Sequence, residues 1–132
     1  MITLMETSAH DPAGDVYATT SEYVHAMEVR DARRLLFVSG TMGLDPTGIP
    51  GASLDEQLEL TWSNIRAILA SAQMTVDNIV RVTSYLRDPS SADANAAARS
   101  KALNGRAVPT TVIAVQTLDT RWLVEVEVTA AA

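Results

Sequence analysis

The residues best suited to catalysis lie on the last predicted strand, where two carboxylates alternate with valines. In residues 122–129 alternate side chains share a face, so Glu125 and Glu127 project opposite to the three valines. The valine face is expected to pack under helices, whereas the carboxylate face would meet water in a monomer. If a second subunit restricts that water, Glu125 is suited to proton transfer. Spacing alone favours a solvated glutamate, so both interpretations of Glu125 stay open.

Other residue types offer little alternative chemistry. The chain has no cysteine, which excludes thiolate nucleophiles, thiolate metal sites and disulfides. His10 and His25 lack partners at metal-ligand spacing. The run Ser39-Gly40-Thr41 lacks the glycine pattern of a nucleophile elbow. The sequence therefore predicts no metal site and no cofactor.

Composition limits the class of protein. The chain has 132 residues, 47% hydrophobic and 20% charged, which predicts one globular domain over residues 16–132 after a flexible arm at 1–15. Its net charge is −6 and Lys101 is its single lysine, so a nucleic-acid surface is not expected. No run approaches the ~18 apolar residues of a membrane span, and the first residues do not resemble a signal peptide. We therefore expect a cytoplasmic protein without membrane contact.

Hydrophobic periodicity predicts two helices and five strands. Helical spacing after the capping pair Ser53 and Glu56 predicts a helix over residues 54–73. An alanine-rich run that ends at Asn104-Gly105 predicts a second helix over 92–103. Strands are predicted at 22–29, 35–39, 79–87, 110–117 and 122–129. The first two and the last two are expected to form hairpins, in a mixed sheet with both helices on one face.

Two of the predicted strands carry apolar residues on both sides. Residues 35–38 are apolar without alternation, and so are residues 112–115. Helices on one face leave the second face uncovered, so we expect other copies of the chain to cover it. The sequence therefore predicts a homo-oligomer, with Glu125 at a boundary between subunits.

The order and spacing of several runs resemble the Rid family, also called the YjgF/YER057c/UK114 family. The resemblance covers about residues 20–130. Its runs are Tyr23-Val24-His25-Ala26, Leu36-Phe37-Val38-Ser39-Gly40-Thr41, the helix around Asn64-Ile65, the strand at 79–88 and Val124-Glu125-Val126-Glu127.

The resemblance implies a chorismate-mutase-like α+β fold with a mixed six-stranded sheet and two helices on one face. It implies a homotrimer whose sheets line a central barrel, with small-molecule clefts between subunits. Many family members hydrolyse enamines and imines to ketoacids and ammonia without a metal or cofactor. In those members an arginine pairs with the substrate carboxylate, and a water held by a glutamate acts at the imine carbon.

The resemblance also implies a set of cleft residues. Glu125 and Tyr23 match the family's glutamate and tyrosine and are the expected catalytic residues. Thr41 replaces a glutamine, and Asn95 matches the cleft asparagine after a one-residue gap. The expected substrate-binding residues are Ser39, Gly40, Thr41, Asn95, Pro109, Thr110 and Thr111.

The arginine of the family's Pro-Ala-Arg-Ser motif is missing. The corresponding run is Ala107-Val108-Pro109-Thr110, so the arginine falls on Pro109, or on Thr110 if the gap is moved. Neither can form the bidentate charged pair for which arginine is specialised. Arg106 would need a shifted loop to replace it.

These observations leave four hypotheses for function. The favoured one is a cofactor-independent enzyme that acts on an imine, enamine or carbonyl metabolite, with water positioned by Glu125 and an oxygen polarised by the Gly40 amide. The second is a noncatalytic trimer that binds a small metabolite or a partner protein. The third is a conventional 2-aminoacrylate-type deaminase in which Arg106 has moved in. The fourth is the RNA cleavage ascribed to some family members, which the acidic charge disfavours.

Overall fold

A computed structural model describes residues 4–132. The elements are β1 (Glu6–His10), β2 (Tyr23–Val24), β3 (Ala26–Arg30), β4 (Leu35–Met42), α1 (Leu54–Ser71), β5 (Ile79–Leu86), α2 (Ala92–Ala102), β6 (Val108–Ala114) and β7 (Val124–Ala131). Two short 3-10 turns, Val76–Asn78 and Pro89–Ser91, precede β5 and α2. Both helices begin at or within one residue of their predicted starts.

The strands form a mixed sheet of five in the order β2-β6-β5-β7-β4, and β1 and β3 pair separately. β6 runs parallel to β5 and β2, whereas β7 runs antiparallel to both of its neighbours, β5 and β4. The α+β class with two helices and a mixed sheet is confirmed. The six-stranded count is wrong for the described residues, which hold a five-stranded sheet and a two-stranded one.

The predicted hairpin between residues 22–29 and 35–39 is wrong. The first strand is interrupted at His25, and its two parts pair with β6 and β1, while β4 pairs with β7. Asp31 turns the chain with a left-handed φ of 58°. The amides of Arg33 and Arg34 then both donate to the Ala132 carbonyl, at 2.8 and 2.9 Å. The connection is thus held against the C-terminus and is not a tight turn.

The predicted hairpin between residues 110–117 and 122–129 is also wrong, because β5 lies between β6 and β7. The tight turn itself forms, with the Asp119 carboxylate accepting from the Arg121 amide at 2.8 Å. Local turn chemistry therefore does not decide which strands become neighbours.

The arm predicted over residues 1–15 contains regular structure in its described part. Glu6–His10 forms β1, antiparallel to β3. This segment is too short to be predicted as a strand from its sequence, and it forms one because it can pair with β3. Residues 1–3 of that arm lie outside the described residues.

Helix α1 begins where its capping residues predict. The Ser53 hydroxyl accepts from the Glu56 amide at 3.2 Å, and the Glu56 carboxylate accepts from the Ala52 amide at 2.9 Å. Both bonds satisfy amides near the helix start that would otherwise lack partners. The helix then buries one stripe at helical spacing, namely Leu58, Trp62, Ile65 and Leu69.

The sheet has one covered and one open face. The β7 valines predicted to lie under the helices, Val124, Val126 and Val128, are all buried. On the open face, Leu35 is 58% exposed and Phe37 is 75% exposed. A shallow concavity of about 220 Å³ lies on this face around Phe37, Arg81 and Glu127. Glu125 and Glu127 lie on the open face, as the alternation predicts.

Candidate functional site

Glu125 lies over an irregular stretch of β4. The register of β4 against β7 shifts between Val38 and Thr41, so Ser39 and Gly40 form a bulge, and Glu125 pairs with Met42 beyond it. The Glu125 carboxylate covers Gly40 so closely that a Cβ added to Gly40 would overlap it. Bulges commonly reorient side chains beside functional sites. Glu125, Ser39, Gly40 and Thr41 are therefore brought together, and we call them the Glu125 half-site.

Thr41 and Ser39 differ in their access to a ligand. Thr41 is buried, and its hydroxyl donates to the Ser39 carbonyl at 2.9 Å. It fixes the shape of the bulge and is not free to bind a ligand in this conformation. Ser39 is exposed at the bulge. Of these two predicted binding residues, the structure makes only Ser39 accessible.

A tyrosine that was not predicted from the sequence joins this face. The Tyr85 hydroxyl donates to the Glu127 carboxylate at 2.6 Å, although Tyr85 pairs in register with Glu125. This hydrogen bond raises the pKa of Tyr85 above its usual value, and burial and the charges of both glutamates raise it further. Alternation along β5 could have placed Tyr85 on the carboxylate face. Its partner depended on the register, which the sequence does not give.

Gly40→Ala tests how closely Glu125 and the bulge fit together. The new methyl group would meet the flexible end of Glu125, so we expect the carboxylate to move with little loss of stability. Gly43→Ala is the contrasting variant, because its methyl group would lie 2.5 Å from the Gln57 Cα, in backbone that cannot move aside. We expect Gly43→Ala to cost roughly 1–3 kcal/mol. Thermal unfolding of both variants checks this, and equal destabilisation would contradict the contrast.

Tyr23 and the threonines of β6 form a second group, which we call the Tyr23 half-site. Tyr23 pairs with Val108, and Val24 pairs with Pro109. Thr110 donates its hydroxyl to the Val108 carbonyl at 2.8 Å, whereas the next residue, Thr111, is exposed. The Tyr23 half-site therefore contains Tyr23, Pro109, Thr110 and Thr111, at the edge of the sheet.

Asn95 lies on α2 and is deeply buried. It is 1% exposed, and neither its amide nitrogen nor its amide oxygen has a hydrogen-bond partner among the described residues. Buried amides without partners are rare because their desolvation is not compensated. Asn95 is thus a buried polar group whose desolvation no hydrogen bond among the described residues compensates.

Glu125 and Tyr23 lie far apart in one chain. Glu125 pairs with Tyr85, which pairs with Ile113 on β6, whereas Tyr23 pairs with Val108, five positions earlier on β6. Five positions correspond to about 16 Å along a strand, and the strands between add about 10–15 Å sideways. A separation on the order of 20 Å between Glu125 and Tyr23 is too long for one small molecule to contact both side chains. These two residues therefore do not share one cleft within a single chain.

Two concavities of the described surface are lined by residues outside both half-sites. The one on the open face contains none of the predicted cleft residues. The other, about 1100 Å³ in volume, runs between α1 and α2 along Leu58, Trp62 and Ala98. Neither provides the predicted cleft.

Arg106 is bound to backbone carbonyls in this structure. Its guanidinium donates to the Val76 carbonyl at 3.0 Å and to the Ile79 carbonyl at 3.2 Å. These bonds connect Arg106 to the 3-10 turn before β5 and to the first residue of β5. The conventional deaminase hypothesis therefore loses the cation on which it depended.

Across residues 4–132, no three His, Cys, Asp or Glu side chains form a group that could hold a metal ion. No helix among these residues is long and apolar enough to cross a bilayer.

The chain belongs to the Rid (YjgF/YER057c/UK114) family. The family model described as Endoribonuclease L-PSP matches residues 14–132. The RutC family protein YjgH of Escherichia coli is 36% identical over 86 residues, which are 65% of this chain and 64% of that protein. A RutC family protein of Aquifex aeolicus is 39% identical over 50% of this chain and 51% of its own length. The matched segment thus spans between half and two thirds of these relatives.

Solved structures extend the likeness over nearly the whole chain. A Rid-family protein of unknown function from Yersinia pestis, YyfB, superposes with a TM-score of 0.82 at 23% identity and covers 96% of this chain and 98% of its own. Rv2704 of Mycobacterium tuberculosis, a YjgF/YER057c/UK114 member, superposes with a TM-score of 0.66 at 25% identity and covers 83% and 86%. At these identities the structures support the fold and carry no information on activity.

Proposed function

We propose that this protein is a cofactor-independent enzyme that hydrolyses an imine or enamine metabolite in a cleft between two subunits. The observation that carries the proposal is the separation of Glu125 from Tyr23 within one chain. A second copy that brings its Tyr23 half-site to the Glu125 half-site of the first would complete one cleft. In a closed ring of copies, every subunit contributes each half-site once.

Glu125 is the proposed base. Its carboxylate accepts a hydrogen bond from a water, takes that proton as the oxygen adds to the imine carbon, and returns it to the nitrogen. The added oxygen still carries one proton, and Glu125 transfers that proton to the nitrogen as the C–N bond breaks. Ammonia then leaves and a carbonyl product remains, so one water is consumed for each imine. An amide at the Gly40 bulge is in position to polarise an oxygen near Glu125.

The open face of the sheet supports assembly. It exposes Leu35 and Phe37, which a monomer would leave in water. It also holds Tyr85 bonded to Glu127, so the surface offered to a second copy mixes apolar side chains with a satisfied polar pair. We propose a homotrimer in which these faces line a shared interior, as the family resemblance implies.

Complementation between two inactive variants tests the shared cleft. Glu125→Gln disables one half-site and Tyr23→Ala the other, so each homomeric variant is expected to be inactive on imines generated in situ. When the two are unfolded together and refolded as a mixture, roughly a quarter of the clefts would combine two unaltered half-sites. Recovery of a comparable fraction of wild-type carbonyl production is the expected result.

The controls separate the other hypotheses. Each variant refolded alone must stay inactive, and sedimentation equilibrium must give the mass of a trimer. A monomer, or a mixture as inactive as its components, would overturn the shared cleft. If the wild-type trimer turned over none of a panel of imines and enamines, the hydrolase hypothesis would fail and the noncatalytic binding hypothesis would remain. The net charge of −6 opposes the ribonuclease activity in the family description, because phosphate binding needs clustered cations.

A further inference from the structure

The groove between α1 and α2, about 1100 Å³ in volume, is separate from the open face and from both half-sites. Its floor is apolar, with Leu58 and Trp62 from α1 and Ala94, Ala98 and Ala102 from α2. Alanines at four-residue spacing leave this side of α2 flat, whereas the outer face of a helix is usually covered by charged and polar side chains. The groove therefore has room for the side chains of a further helix.

One stripe of α1 faces this groove and carries opposite charges at its two ends. Glu59, Ser63 and Arg66 recur at helical spacing, line the groove and are exposed. Asp55 extends the acidic end by one turn. No ion pair among the described residues involves Glu59 or Arg66. The stripe thus presents two charges of opposite sign, two helical turns apart, with a small residue between them.

The second wall of the groove adds to its basic end. β4 and β5 both run antiparallel to β7, and β6 runs parallel to β5. Each helix therefore returns between two parallel strands, so α1 and α2 run in the same direction. Lys101 lies in the last turn of α2 and lines the groove. The groove is therefore acidic where the helices begin and basic toward their C-terminal ends.

We propose that this groove is an interface between two copies of the chain, in which the α1 helices of the two copies lie antiparallel to each other. A twofold contact joins the same surface of both copies, so each acidic end meets a basic end. Glu59 of each copy then lies level with Arg66 of the other, and Ser63 lies beside the twofold axis. A small residue at the axis lets the helices approach to the usual interaxial distance of about 8–10 Å.

The order of the charges favours a second copy as the occupant. A helix in this groove has to be basic where α1 begins and acidic toward the end of α1, with a small residue between. A reversed α1 meets all three conditions, and its acidic first turns lie level with Lys101 as well as Arg66. The parallel arrangement would place like charges opposite each other, which disfavours it.

The contact leaves the open face free, so it does not depend on the proposed hydrolase or on the trimer. It joins two trimers, or two monomers if no trimer forms. Exposed ion pairs contribute little each, so the pairing is weak and unpaired trimers predominate at low micromolar concentration.

Disulfide trapping tests the twofold contact, because the chain contains no cysteine of its own. Ser63→Cys places one thiol on each side of the axis, close enough to its counterpart for a disulfide. Ser100→Cys is the matched control, at an exposed position of α2 outside the groove lining. Under mild oxidation we expect Ser63→Cys to form a two-chain species about tenfold faster or more, measured on non-reducing gels, because the contact raises the local thiol concentration.

An exchange of charges tests the proposed antiparallel register. In the Ser63→Cys background, Glu59→Lys places a cation opposite Arg66 of the other copy, so we expect cross-linking to slow about fivefold or more. Adding Arg66→Glu restores opposite charges and the original net charge, and the rate is expected to return to within about twofold. If Ser63→Cys cross-linked no faster than Ser100→Cys, or if Glu59→Lys left the rate unchanged, the inference would be overturned.

Discussion

Glu125→Gln is expected to lower imine or enamine hydrolysis by two or more orders of magnitude while the fold and the assembly remain intact. General base catalysis by a positioned carboxylate contributes about 10²–10⁴-fold, and glutamine cannot accept the proton from water. The substitution keeps the size of the side chain that lies over Gly40. Steady-state production of the carbonyl compound, compared with the reaction without enzyme, measures the effect.

Glu127→Gln is the matched control for Glu125→Gln. It removes a carboxylate two residues away on the same face of β7, and that carboxylate already accepts the Tyr85 hydroxyl. The amide oxygen of glutamine can accept the same bond, so we expect activity within about threefold of the wild type. Equal losses in the two variants would indicate a requirement for negative charge on this face. Full activity in Glu125→Gln would remove Glu125 from the mechanism.

Gln57→Leu is expected to destabilise the fold by roughly 3 kcal/mol or more, because three backbone groups would lose their partners. The Gln57 amide nitrogen donates to the Gly51 and Arg121 carbonyls at 3.0 and 2.8 Å, and its oxygen accepts from the Leu123 amide at 2.8 Å. The side chain is only 3% exposed, so water cannot replace these bonds without opening the structure. Urea unfolding measures the change in the free energy of unfolding.

Gln116→Leu provides the comparison for Gln57→Leu, because Gln116 is exposed in the loop after β6. The same chemical change there is expected to alter stability by no more than about 0.5 kcal/mol. If Gln57→Leu unfolded at the same urea concentration as the wild type, the three bonds would make no net contribution to the free energy of unfolding. The link they make between the start of α1 and the entry into β7 would then not be a determinant of the fold.

The helices illustrate how far local sequence signals extend. Ser53 and Glu56 predicted where α1 begins, and the apolar spacing predicted the face that is now buried. The valines of β7 were predicted to lie under the helices for the same reason, since alternation is a property of the strand alone. These features depend on residues within one or two turns of each other, so the sequence is sufficient for them.

Strand partners depend on contacts that are distant in the sequence. Both predicted hairpins were wrong, because β5 separates β6 from β7 and because β2 crosses to β6 instead of pairing with β4. A short connection makes a hairpin favourable but does not enforce it. The bonds from Arg33 and Arg34 to the Ala132 carbonyl join residues about a hundred positions apart, and no local pattern encodes them.

The sequence alone predicted that this chain carries the runs of the Rid family, that Glu125 lies opposite the valine face of its strand, and that Pro109 or Thr110 stands where the resemblance places an arginine. These conclusions follow from residue identity and short periodicity, which do not depend on the rest of the fold. Tertiary structure decided that Glu125 and Tyr23 lie apart, that Arg106 is bound to carbonyls, and that Arg99 and Asn95 are buried without sufficient partners. Those facts depend on register and burial, which arise only when distant segments compete for the same partners.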